Sequence, residues 1–145
     1  MVRHTVSADD RHCQTEFETC RLPPGRFNHR AHLRLAYIYL VEHPDEVALA
    51  LFRNGLLKFL SFHGVAGSKY HETLTDAWIL AMRHFMERSS PASSFDDFIA
   101  QNPILLDSGI MMTHYSSERL FSAEARQHFV EPDLSPIPRH EASSA

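Results

Sequence analysis

Between Asn28 and Pro44 the chain reads as one helix that is apolar on nearly every side, and this stretch limits the fold more than any other. At about 100° per residue, His29, His32, Leu33, Ala36, Leu40 and His43 share one face, while Ala31, Leu35 and Ile38 make the opposite face apolar too. A helix with no wet side belongs in the middle of a protein, covered by other elements. Its few charged residues, Arg30, Arg34 and Glu42, must then reach out to water or find partners. Asn28 is suited to cap the start, and Pro44 stops the end.

The elements that could cover it follow in order. Pro44 and Asp45 open a second helix running to about Phe62, with Leu49, Phe52, Leu56, Phe59, Leu60 and His63 as its apolar face. Gly64 provides its stop. A third helix is expected from about Lys69, capped by Ser68, to Arg88. Leu74, Trp78, Ala81, Met82 and Phe85 form its stripe, His71 lies along it, and Asp76, Arg83 and Glu87 face water. Ser94 caps a shorter helix that ends before Pro103. Residues 104–115 read as a turn and an irregular piece, and Ser116 or Ser117 and then Ser122 start the last helical pieces. No strand alternation and no internal repeat survives this pass. The fold class is therefore all-α, a single-domain bundle of three long and two or more short helices. The expected divisions are a polar N-terminal arm at 1–25, a helical domain at 26–138 and a disordered tail at 139–145.

With 145 residues the chain can bury a core without staples. Its net charge of −4 lacks the basic stripe of a nucleic-acid footprint. No segment reaches the roughly 18 apolar residues of a membrane span, and residues 3–11 carry charges rather than an apolar signal region. The two cysteines, Cys13 and Cys20, are too close together to staple a core, so they read as reduced, in a cytoplasmic protein. The unusual count is 11 histidines.

Three of these histidines carry the functional expectation. His29 and His32, three residues apart, stand on adjacent turns of one helix face. Imidazole nitrogens inside a core need partners, and a metal supplies one for each. His71, at the start of a facing helix, would complete a three-nitrogen open site for iron, copper or zinc. The competing reading for His71 is a core histidine bonded to a carbonyl, and for Glu72 an acid favoured by the helix dipole. Glu72 fits better as a proton carrier than as a ligand, with Tyr70 and His114 as further pocket residues. His63 reads as a partner of its helix's C-terminal dipole, and His4, His12, His84, His128 and His140 as solvated or peripheral. Gly-rich phosphate loops, nucleophile elbows, Cys-x-x-Cys, His-Glu-x-x-His and paired Glu-x-x-His di-iron motifs are all absent.

The segments Phe27 to Ala36, Lys69 to Thr75 and His114 to Ser116 resemble those of a group of short bacterial all-helical proteins without an assigned activity. The resemblance spans about residues 16–138, Phe129 to Pro138 included. It implies one compact domain with these segments as landmarks, and it implies no reaction. The expected function is thus a metal-dependent enzyme acting on a small molecule. The alternative is a non-catalytic helical module that binds a small ligand or metal. A second copy of the chain is an optional partner; nucleic acid and membrane are not expected.

Overall fold

The central helix is found where the sequence puts it. In the computed structural model, which describes residues 3–139, α2 runs His29–Glu42 and buries Leu33 and every residue from Leu35 to Leu40. Asn28 caps it by accepting the Ala31 N–H at 2.9 Å. The charged residues it carries are all paired. Arg34 donates to Asp10 at 2.9 Å, Arg30 pairs with Asp96, and Glu42 pairs with Arg11.

Two long helices cover α2: α3 at Asp45–Phe62 and α4 at Glu72–Arg88. Pro44 is the cap residue of α3 rather than its first helical position. The turn from α2 to α3 is tied down by Arg83 of α4. It donates to the carbonyls of Leu40 and His43 at 3.0 and 3.1 Å and to Asp45 at 2.7 Å. Arg83 was expected in water. It is turned inward because the last carbonyls of α2 have no partners within their own helix. Asp76, also expected in water, is half-buried; burial and then the charge of Glu72 hold its carboxyl above the usual range.

The segment expected as a polar arm holds α1, Ala8–Glu18. Its polar composition hides a single anchoring face. Ser7 and Asp10 form a reciprocal capping box, and Phe17 and Cys20 are buried. Asp10 is fully buried and also accepts the Phe95 N–H at 3.0 Å, so it joins the starts of α1 and α5, Phe95–Gln101. Burial alone would raise its pKa. The amides of Phe95 and Ser7 and the Arg34 guanidinium outweigh that and hold it below the usual carboxylate range. Phe17 lies directly against α3 because position 55 is glycine: a Cβ there would sit 2.7 Å from the Phe17 ring.

The C-terminal third is irregular, as expected, but firmly anchored. Two short 3-10 stretches, Pro103–Leu106 and Ser108–Thr113, lead to α6 at Ser117–Leu120 and α7 at Ala123–Gln127, capped by Ser116 and Ser122. An extended strap then returns across the bundle. The Tyr115 hydroxyl donates to Val130 O at 2.6 Å, and Thr73 bonds both His128 O and Val130 N–H. The expected disordered tail lies outside the described residues apart from Arg139. Among the described residues there is no strand, and no helix is long and apolar enough to cross a membrane.

Candidate functional site

The start of α2, the N-terminal half of α4 and the 3-10 segment at 108–113 border an open pocket of about 500 Å³. Phe27, His29, His32, Leu74 and Trp78 line it from the long helices. Met111, Met112, Leu120 and Phe121 close it from the C-terminal third. None of its lining residues carries a formal charge when histidine is neutral. The volume falls within the range of small-molecule sites, about 300–1,000 Å³.

His29 and His32 stand on this wall with two other polar residues, Asn28 and Ser108, and the helix spacing brings both imidazoles to it. The His29 Nε2 lies 2.9 Å from Leu105 O. A carbonyl can only accept, so Nε2 carries a proton; in the neutral ring Nδ1 then keeps its lone pair. The His29 ring sits edge-on to Trp78, centroids 4.8 Å apart. His32 packs against Phe52 at 4.7 Å, and its Nδ1 is buried without a partner. Burial, and secondarily the nearby His29, pushes the His32 pKa down to about 3. This imidazole is therefore neutral throughout the physiological range.

His71 stands elsewhere. It is the N-cap of α4: its Nδ1 accepts the Leu74 N–H at 3.1 Å, and its Nε2 donates to Leu120 O at 2.7 Å. Both nitrogens are engaged by backbone, which leaves neither for a metal. Burial is the main cause that holds its pKa below the ordinary value. The ring stands edge-on to Phe121, centroids 6.5 Å apart, and does not line the pocket. Among the described residues no group of three or more His, Cys, Asp or Glu side chains is placed to hold a metal ion. The expected His29–His32–His71 set is thus divided: two members face one cavity and the third braces its rim. Ser68 is the residue type that usually caps. It is held instead in a short 3-10 turn, and capping falls to the imidazole three residues on.

The remaining expected site residues form separate structures. Glu72 is clamped by Arg53 through two hydrogen bonds of 2.9 and 2.7 Å and accepts the Tyr70 hydroxyl at 2.7 Å. Burial would raise its pKa, but Arg53 and then Tyr70 hold it below the usual range. Burial pushes the Tyr70 phenol up, and Glu72 adds to this. His114 donates from Nδ1 to Ser135 O at 2.8 Å and fixes the strap. None of the three lines the large cavity. His63 is the C-cap of α3, tilted against Phe59 and edge-on to Phe62, with Nε2 buried and unpartnered. His4, expected at the periphery, is buried. Its Nε2 meets Met86 O at 2.7 Å and its Nδ1 accepts the Ala92 N–H at 3.1 Å. His140 lies outside the described residues.

Among the lining residues missed by sequence reasoning are Phe27, Trp78, Met111, Met112 and Phe121. Trp78 was read as core because it falls on the buried stripe of α4. Only the packing of α4 on α2 reveals that its ring meets His29. The methionine pair had one legible signal: it follows Ser108-Gly109 in a stretch too irregular to be a core helix. No family model, no curated protein and no solved structure matches the chain.

Proposed function

We propose that this protein binds a small, uncharged, largely apolar molecule in the cavity between the start of α2 and α4. The observation that carries the reading is the pocket lining: two imidazoles, His29 and His32, stand among aromatic, aliphatic and thioether side chains, with no lysine, arginine, aspartate or glutamate. The aromatic and thioether wall favours flat apolar ligands, through ring stacking and sulfur contacts. A pKa near 3 makes His32 a poor general base at neutral pH. The reading is accordingly one of binding, with no reaction step assigned.

The chain has a single tryptophan. Protein labelled with 5-fluorotryptophan therefore carries one 19F resonance, at the cavity wall. Titration with naphthalene should shift that resonance saturably, and a cavity-filling Leu74→Trp variant, followed through the wild-type position's own signal, should lose the shift. A 19F signal unmoved by naphthalene and by the other neutral aromatics named below would overturn the proposal.

A further inference from the structure

The two imidazoles at the cavity are complementary in their hydrogen bonding, and this specifies the ligand more closely. The inference rests on the binding reading above. His29 gives its Nε2 proton to Leu105 O, so the nitrogen it has left, Nδ1, accepts. For His32 the argument runs through the sealed atom. A proton on Nδ1 would be a buried donor with no acceptor, and orphaned donors are rarer than orphaned acceptors. The proton therefore sits on Nε2, the nitrogen left to a ligand. One turn of α2 thus offers a donor from His32 and an acceptor from His29. Asn28, at the same end, has its side-chain oxygen occupied by the Ala31 N–H.

We infer that the cavity selects a neutral planar aromatic that carries a hydrogen-bond acceptor and a donor side by side, as on the edge of a lactam. Its carbonyl oxygen would accept from His32 Nε2–H, and its ring N–H would donate to His29 Nδ1. The ring would lie along Trp78 and Phe27, with Met111 on the opposite wall. Anions are disfavoured, because no lysine or arginine lines the pocket and its walls are mostly apolar.

Four probes of similar shape test this on the wild-type protein through the Trp78 19F signal: 2-quinolone, quinoline, naphthalene and 2-naphthoate. The expected order is 2-quinolone tightest, by tenfold or more over naphthalene, quinoline intermediate, and 2-naphthoate weaker than naphthalene. In His32→Leu the advantage of 2-quinolone over naphthalene should fall to threefold or less. Naphthalene binding as tightly as 2-quinolone would overturn the donor–acceptor pairing and leave the apolar cavity standing. Tightest binding by 2-naphthoate would overturn the exclusion of anions. Binding of none of the four would overturn both this inference and the binding reading beneath it.

Discussion

The starts of α2 and α4 look alike in sequence and behave oppositely in the fold. Each carries imidazole close to a residue type that caps helices. At α4, His71 is itself the cap, and both of its nitrogens are taken up by Leu74 N–H and Leu120 O. At α2, Asn28 does the capping, so His29 and His32 are released from that duty and turn toward a cavity. The lesson is that burial alone does not mark a functional histidine. What the ring faces, a backbone partner on both nitrogens or a pocket, separates His71 from His29 and His32.

The strongest way to break this comparison is to replace each imidazole with leucine. His71→Leu removes a helix cap and leaves Leu120 O without its donor. A lost cap costs about 1 kcal/mol, and an orphaned buried carbonyl about 1–3 kcal/mol, so a loss of about 3 kcal/mol is expected in urea unfolding. His32→Leu removes an already unpartnered nitrogen and should change stability by less than about 1 kcal/mol in either direction. Equal losses in the two variants would erase the distinction.

Acid should sharpen it. The folded His32 pKa is lowered to about 3 from 6.5, so its neutral form is favoured in the fold. That contribution is fully present above pH 6.5 and is lost as pH falls toward 3. At about 1.4 kcal/mol per pH unit, wild type should lose about 2–3 kcal/mol from this residue between pH 6.5 and 4.5. His71, also lowered, acts in the same direction. Urea unfolding at the two pH values should show a flatter acid response in His32→Leu than in wild type. Identical responses would mean that His32 is not sealed in the fold.

The smallest effect concerns Glu72. Its ion pair with Arg53 is partly exposed, with side-chain accessibilities of 34% for Arg53 and 14% for Glu72. Glu72→Gln should therefore cost only about 1 kcal/mol. The folded pKa of Glu72 is lowered, so this contribution is present above the ordinary carboxylate pKa and disappears as the acid protonates. Naphthalene affinity should stay within twofold of wild type, since Glu72 does not line the cavity. A tenfold loss would return Glu72 to the site.

The bundle was legible because periodicity and caps are local. Asn28, Ser94, Ser116 and Ser122 cap where expected, and the all-round apolar pattern of α2 did mark the central helix. The site was half legible. The i, i+3 spacing correctly put His29 and His32 on one wall, yet nothing local tells whether a ring nitrogen will meet a carbonyl from distant sequence. Leu120 O for His71, Met86 O for His4 and Leu105 O for His29 are all such partners. The polar N-terminal segment leaves room for one short helix but gives no sign of its anchoring, for a related reason: Asp10 is buried because Phe95 N–H and Arg34, far along the chain, satisfy it.

Long-range 1H–15N NMR of the histidine rings tests the contrast most directly, recorded at pH 7 with and without 2-quinolone. His4 and His71 should show the neutral Nε2–H form and stay fixed as ligand is added, while the His29 and His32 nitrogens move. Ring signals of His71 that titrate with the ligand while those of His32 remain still would contradict the assignment of one helix start to architecture and the other to binding.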